Sequence, residues 1–144
     1  MDDYYNLNRF LTAQKIDYQK ALSEILNGKK VSHWMWYIFP QFNGLGRSIT
    51  SKNYAIKSKN EALSYLKHPI LGTRLTEITE VFLLIENKTA TEILGRTDSF
   101  KIKSSMTLFN SVQSQTNIFK EVLEKYFSGE KCQNTLRLID QSEY

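Results

Sequence analysis

Apolar residues recur at three- and four-residue intervals along most of the chain, and no stretch shows the sustained alternation that is typical of a half-buried strand. The clearest run covers residues 70–85 and is predicted to be the longest buried helix, with Pro69 in its first turn. The whole pattern predicts an all-α chain of about seven to nine short helices.

Residues that commonly cap or stop helices set the expected boundaries of these elements. Side chains suited to an N-cap stand before the apolar runs at Asn6, Asp17, the pair Ser58 and Glu61, the pair Thr89 and Glu92, Asp98 or Ser99, and Asn117. Helix stops are expected at Gly28, Gly95 and Gly129, and a last short helix is expected from Asn134. Residues 40–50 form the only long irregular stretch, and loops of that length inside compact domains are usually functional or mobile.

Length and composition favour one globular domain over residues 1–144, since 41% of the residues are hydrophobic and 24% are charged. The chain begins with acids rather than a basic signal-peptide segment, and no run approaches the roughly 20 apolar residues of a membrane span. We therefore expect a cytoplasmic protein without membrane association. Cys132 is the only cysteine, and neither His33 nor His68 has a partner at metal-ligand spacing, so no metal and no cofactor is expected.

The net charge of +4 hides an uneven distribution. Residues 26–74 carry eight basic side chains against one acid, Glu61, which makes this span +7 and the remainder −3. A basic segment of this kind favours an anionic partner, and a solvated lysine-rich face is the alternative.

Residues 33–42 contain both tryptophans, Trp34 and Trp36, together with three other aromatic residues. Apolar side chains on every face of a helical segment indicate a central position in the core. The alternative is that one or two of these rings line a pocket, where they stack on a base or cover a ligand.

The turn that follows combines Gly44, Gly46, Arg47 and Ser48, just before a helix predicted to begin near Ser51. Inward backbone N–H groups, a guanidinium and a helix N-terminus are the ingredients of an anion site. The segment lacks the spacing of a phosphate-binding P-loop, and a plain surface loop is the alternative.

Two further groups could take part in catalysis. His33 can act as a general base, although a histidine satisfied within the core is the more common case. Lys101, Ser104 and Ser105 are neighbours at helical spacing, which permits a lysine-activated serine, although such serines more often mark close helix packing. Cys132 is interpreted as incidental.

Several of these segments resemble a bacterial family catalogued as domain of unknown function 1810. The similar segments are HWMWYIFPQF, GLGRS, YAI at residues 54–56, the run of residues 62–75, and KIKSSMTLF, so the resemblance covers about residues 7–138. It implies a compact all-α fold similar to armadillo-like helical arrays and no established activity. Some members carry the label calpastatin, which nothing in this sequence supports. The polar positions typical of the family would be His33, Gln41, Arg47 or its neighbour Ser48, His68, Arg74, Lys101 and Ser105.

These features together favour a helical domain that binds an anionic small molecule, such as a nucleotide or another phosphate-bearing metabolite. Arg47, Arg74 and Lys101 would meet the charge, Trp34 or Trp36 would form a flat wall, and His33 would act in any turnover. The alternative is a non-catalytic scaffold that holds a protein partner. A nucleic acid partner is disfavoured, because the high pI reflects an excess of only four charges.

Overall fold

The computed structural model describes residues 3–113 and 117–142, and within them it contains nine α-helices and no β-strand beyond one isolated bridge. The helices are α1 Asn8–Leu26, α2 Met35–Ile38, α3 Ile49–Asn53, α4 Lys59–Lys67, α5 Leu71–Leu84, α6 Ala90–Leu94, α7 Arg96–Ser111, α8 Ile118–Phe127 and α9 Gln133–Gln141. The predicted all-α class and the expected number of helices are confirmed. None of the described helices is long and apolar enough to cross a membrane.

The core is organised around α5 and α7. Helix α5 packs against α1, α4 and α8, while α7 packs against α6, α8 and α9. A chain of buried rings crosses the interior from α1 to α8: Phe10 lies 5.1 Å from Tyr65, Tyr65 lies 5.5 Å from Phe109, and Phe109 lies 5.7 Å from Phe119. Ring pairs at such distances add attraction beyond the burial of their area, so these four side chains tie four helices together.

Several predicted helix ends are present. Thr89 and Glu92 form a complete capping box, and the Asn117 side chain accepts a hydrogen bond from the backbone N–H of Lys120. Gly28 and Gly129 both adopt positive φ just after a helix. Local side-chain chemistry is sufficient for these boundaries because each cap satisfies a backbone group within one turn.

The first helix corrects two predictions. Asp17 begins no new helix, because it lies inside α1, which runs from Asn8 to Leu26 without a break. With 19 residues, α1 is also longer than α5, which has 14 residues and was predicted to be the longest buried helix. Asn6 does not cap α1; it has positive φ, and the carboxylate of Asp3 accepts the backbone N–H groups of Leu7 and Asn8 at 2.7 and 2.8 Å.

Two later boundaries also differ from the prediction. Helix α7 begins at Arg96, directly after Gly95, so Asp98 and Ser99 lie inside it rather than at its cap. The box expected at Ser58 and Glu61 is only half formed. Ser58 caps α4, but the Glu61 carboxylate accepts from Lys57 N–H and pairs with Arg9 at 2.7 Å. A long-range ion pair thus replaces the local contact.

Glu24 fixes the loop that leads into the aromatic segment. Its Oε1 atom accepts the N–H groups of Val31 and Ser32 and the indole Nε1–H of Trp34 at 2.8 to 3.0 Å. Partial burial acts to raise the pKa of Glu24, but these donors outweigh it and lower the pKa to about 2. The ionised carboxylate on α1 therefore holds the start of α2 in place.

Candidate ligand-binding cleft

The two tryptophans have different environments. Trp34 is 1% exposed and packs in the core beside Phe39, as a central aromatic segment predicts. Helix α2 is a single turn, so its residues do not share one environment, and Trp36 is only half-buried. The segment therefore contributes one ring to the core and one ring to a surface cleft.

A cleft of about 860 Å³ lies between α7 and the loop before α9, and we call it the α7–α9 cleft. One wall comes from α2 and the loop after it, namely Trp36, Gln41, Leu45 and Gly46. The second wall comes from α7, chiefly Arg96, Phe100, Lys101, Lys103 and Ser104, and residues 130–134 form the third. Elements far apart in sequence thus build one concave surface.

The charge around the α7–α9 cleft is strongly positive. Four basic side chains line it, from Arg96, Lys101, Lys103 and Lys131, against one acid, Glu130. Lys103 and Glu130 form an ion pair at 3.4 Å, whereas Arg96 and Lys131 make no ion pair with any residue that the structure describes. The cleft therefore keeps a net positive charge that a bound anion can neutralise.

Lys101 is held in a fixed position at the edge of the cleft. Its Nζ lies 3.2 Å from Asp98 Oδ1, and the other oxygen of Asp98 pairs with Lys30 at 2.7 Å. The same ammonium lies 4.6 Å from the centroid of the Trp36 ring, a favourable cation–π distance. Because the single carboxylate of Asp98 is shared by Lys30 and Lys101, the three side chains keep a net charge of +1 beside the Trp36 indole.

Gln41 contributes a buried amide to the wall. The residue is 3% exposed, and its side-chain nitrogen has no hydrogen-bond partner among the described residues. A buried amide without a partner is costly, so such groups in native proteins are uncommon. Gln41 is therefore a buried donor in the cleft wall that lacks an acceptor among the described residues.

Cys132 stands at the entry to α9 with its half-buried thiol in the cleft. Its backbone N–H donates to Thr107 Oγ1 at 2.9 Å, which anchors it to α7, and the Ser104 hydroxyl lies 3.3 Å from its sulfur. Burial acts to raise the pKa of the thiol, but the Ser104 hydroxyl and the nearby N–H groups of Asn134 and Thr135 lower it below its usual value. The sequence interpretation of Cys132 as incidental did not anticipate this position.

A smaller cavity of about 450 Å³ shares Trp36 and Lys101 with the α7–α9 cleft. It is lined also by His33, Trp34 and Ser48, three of the predicted site residues. His33 is exposed at its edge, and the Ser48 hydroxyl accepts the N–H of Ser51 as the N-cap of α3. The structure thus groups these residues around the same tryptophan and lysine.

Four predicted site residues line neither cavity. Gly44 and Arg47 are exposed in the loop before α3, and Ser105 is fully buried on α7. Arg74 lies on α5, where its guanidinium covers the Tyr18 ring at 5.2 Å. The structure therefore brings together Trp36, Gln41, Gly46 and Lys101, and it does not bring Arg47 or Arg74 to them.

Gly46 has a packing role in the loop before α3. Its φ lies outside the left-handed region, so no special backbone angle requires glycine here. A Cβ at this position would lie 2.4 Å from Ser51 Cβ and 2.7 Å from Cη2 of Trp36. The missing side chain lets the loop approach α3 and sets the position of the Trp36 ring.

The comparisons with known proteins identify the family and the fold. A family model described as "Protein of unknown function (DUF1810)" matches residues 4–139. The chain belongs to the DUF1810 family. Its fold is similar to the crystal structure of the conserved hypothetical protein Rv1873 from Mycobacterium tuberculosis, with a TM-score of 0.95 and 38% identity over 97% of this chain and 100% of that one. A search of curated proteins gave no match.

Among the cleft residues that sequence reasoning missed in this DUF1810 protein are three basic side chains and the thiol, namely Arg96, Lys103, Lys131 and Cys132. All four lie outside the basic span of residues 26–74. The available signals were a second Gly-Arg pair at residues 95–96 and a polar stretch between two helices at residues 128–134. Neither signal could indicate a shared location, because the approach of α9 to α7 is a long-range contact.

The cleft of this DUF1810 protein presents basic side chains beside an aromatic wall. The serine of the predicted Lys101 and Ser104 arrangement lies within hydrogen-bond distance of Phe100 O and Cys132 Sγ, while Lys101 pairs with Asp98. Within residues 3–113 and 117–142, no three His, Cys, Asp or Glu side chains are grouped to hold a metal ion.

Proposed function

We propose that this DUF1810 protein binds an anionic, phosphate-bearing small molecule, such as a nucleotide, in the α7–α9 cleft. The observation that carries the proposal is the set of four basic side chains against one acid around a cavity of about 860 Å³. Small-molecule sites are typically concave, about 300–1,000 Å³ in volume, and combine an apolar surface with a few polar groups. The α7–α9 cleft has each of these properties.

Arg96 and Lys131 are the groups best suited to meet a phosphate. Both are exposed at the cleft and free of ion pairs with described residues, so they lose no existing partner when they bind an anion. Arginine offers paired donors that match phosphate oxygens, and lysine adds a mobile point charge. These two side chains would supply most of the affinity for charge.

Trp36 and Gln41 would select for the rest of the ligand. The half-buried indole gives a flat apolar wall, and stacking of a base on such a ring contributes about 1–3 kcal/mol. The unpartnered amide of Gln41 can donate to a carbonyl or ring nitrogen of the ligand. An aromatic base with a phosphate therefore matches the cleft better than phosphate alone.

The smaller cavity leaves room for a catalytic role without requiring one. His33 lies there beside Lys101, so its action as a general acid or base stays a prediction. The scaffold alternative gains no specific support, because the exposed large apolar side chains come from separate elements, among them Ile16 on α1, Ile49 on α3 and Leu84 on α5. Binding of a small anion is therefore the function that we propose.

The proposal is tested by titrating the protein with AMP, adenosine and ribose 5-phosphate. Binding is measured by calorimetry and by the thermal shift of the protein. We expect AMP to bind most tightly, because it alone presents both the base and the charge. Bound AMP at a hundred times its dissociation constant should stabilise the protein by about 2.7 kcal/mol.

Two lysine variants provide the matched comparison. Lys131→Gln should weaken AMP binding about five- to tenfold, whereas Lys15→Gln, an exposed position on α1 outside both cavities, should change it less than about twofold. No binding of AMP or ribose 5-phosphate at millimolar concentration would refute the proposal. Equal effects of the two lysine variants would place the site elsewhere.

A further inference from the structure

The only thiol of the chain lies inside the basic α7–α9 cleft. Cys132 is half-buried in the α7–α9 cleft, which the α7 lysines and the exposed Lys131 also line. Its backbone is anchored on α7 through Thr107, and Ser104 lies 3.3 Å from its sulfur. The thiol is therefore held in one place and remains accessible from the cleft.

Helix α7 and the loop before α9 both bring groups that favour negative charge to the cleft that holds the sulfur. Helix α7 supplies Lys101, Lys103 and the Ser104 hydroxyl, and the loop before α9 supplies Lys131 against the single acid Glu130. The first N–H groups of α9 point toward the sulfur, and a helix N-terminus carries partial positive charge. The Ser104 hydroxyl and the N–H groups of Asn134 and Thr135 lower the pKa of the thiol despite its burial, which raises the fraction of reactive thiolate.

Gln41 gives an independent sign that this cleft receives a ligand. The residue is 3% exposed and lines the cleft, and its side-chain nitrogen lacks any partner among the described residues. A carbonyl or carboxylate oxygen of a bound molecule is the acceptor that this donor lacks. The thiol and the unpartnered amide thus line the same cleft.

We propose that Cys132 is a reactive thiol that forms a mixed disulfide with an anionic low-molecular-weight disulfide held by the basic side chains of the cleft. The inference rests on the proposed function, since the same positive charge would attract both ligands. It deepens that function by adding a covalent, reversible way to occupy the site.

The exchange needs no reagent beyond the disulfide itself. The Cys132 thiolate attacks one sulfur of the small disulfide, and a bond forms between that sulfur and Sγ. The original sulfur–sulfur bond breaks, and its electron pair leaves with the departing thiolate. Cys132 is oxidised to the mixed disulfide, while the other half of the reagent is reduced to a thiol.

The chain has no second cysteine to resolve the adduct. The mixed disulfide must therefore persist until an external thiol attacks it, and while it persists its anionic group lies beside Lys131 and the α7 lysines. The adduct would thus exclude a phosphate-bearing ligand, which makes thiol modification a regulator of anion binding.

The charge selectivity of the thiol tests this inference. The rate of reaction with 5,5′-dithiobis(2-nitrobenzoate), an aromatic dianion, is compared with the rate with neutral 2,2′-dithiodipyridine. The ratio of the two rates is measured for the folded protein and for the same protein unfolded in urea, which gives the intrinsic preference of the thiol. We expect the ratio to be at least about tenfold higher in the folded protein.

Variants and salt locate the source of the selectivity. Lys131→Glu should lower the ratio at least about threefold, whereas the control Lys15→Glu should leave it unchanged. In the wild type, 0.5 M salt should also lower the ratio, because salt screens the charges of the cleft. Cys132→Ser should abolish both reactions. A ratio equal to that of the unfolded chain, or no reaction of the folded protein with either reagent, overturns the inference.

The AMP titration separates this inference from the proposed function. If AMP binds but the ratio of the two reaction rates is the same in the folded and the unfolded protein, the role proposed for Cys132 is wrong and the proposed function stands. A high ratio that depends on Lys131, without AMP binding, would remove only the nucleotide ligand and leave the anionic disulfide in place.

Discussion

The chain contains two Gly-Arg pairs, which differ in how closely the glycine is packed and in whether the arginine lines the cleft. Gly46-Arg47 lies in the loop before α3, within the basic span, beside a second glycine and several hydroxyl side chains. Gly95-Arg96 joins α6 to α7 and reads in the sequence as a simple helix stop. Only Arg96 lines the α7–α9 cleft, whereas Arg47 lines neither cavity.

The contrast shows why local composition was a poor guide to the site. In the first pair the glycine carries the structural constraint, because Gly46 packs against Ser51 and Trp36. In the second pair the glycine has φ of 86° with open space around it, and the arginine is the residue that meets the cleft. Both arginines are exposed, so their difference lies in what stands opposite them.

The largest expected loss of stability distinguishes the two tryptophans. Trp36, against which Gly46 packs, should be a wall of the cleft rather than a core residue. Trp34→Ala should cost about 3–5 kcal/mol of unfolding free energy because it empties a fully buried site. Trp36→Ala should cost no more than about 1–2 kcal/mol, because that ring is only half-buried. Urea denaturation measures both values. A loss of similar size at Trp36 would make it a core residue and break the comparison.

The two glycines give the next test. Gly46→Ala should cost about 1–3 kcal/mol through overpacking against Ser51, and Gly95→Ala a similar amount through backbone strain at positive φ. A double-mutant cycle with Ser51→Gly distinguishes the causes, because removing the Ser51 side chain should relieve Gly46→Ala but leave Gly95→Ala unchanged. Absence of coupling at Gly46 would contradict the packing explanation.

Acid should loosen the loop that positions both tryptophans. The pKa of Glu24 is lowered to about 2, so the stability that its carboxylate contributes is present above its ordinary pKa, about 4.5, and is lost as the pH falls from about 5 toward 2. Glu24→Gln should cost about 1–2 kcal/mol at pH 7, a value reduced for partial exposure. The difference in melting temperature between the wild type and Glu24→Gln should become smaller as the pH falls from 5 to 2.5. A gap that does not change with pH would refute this role.

The smallest expected effect compares the two arginines directly. Arg96→Gln should weaken AMP binding about fivefold because it removes a charge from the cleft, while Arg47→Gln should change it less than about twofold. Calorimetric titration of both variants under one salt condition measures the difference. The reverse result would support the anion site first predicted at the Gly44–Ser48 turn.

Helix ends were predictable where one turn of chain satisfies its own backbone groups. The Thr89 and Glu92 box and the Asn117 cap are of this kind. Predictions failed where a distant or unexpected partner took over, as when Asp3 capped α1 and Arg9 drew Glu61 away from its box. The ranking of competing hydrogen bonds depends on three-dimensional neighbours that local pattern does not contain.

Part of the candidate site could also be read from the sequence. Trp36, Gln41, Gly46 and Lys101 were identified and do meet in the α7–α9 cleft. Lys131 and Cys132 were not, because their contribution depends on the packing of α9 against α7. A charge or a thiol acquires its role from the groups that face it across such a contact.

The sequence by itself determined the all-α class, the family and several of the helix ends, because periodic burial and capping are short-range consequences of residue type. The tertiary structure alone decided which tryptophan is core and which arginine meets the cleft, and it alone placed the single thiol among basic side chains. Charge and burial act through space, so the chain must be folded before they can be assigned.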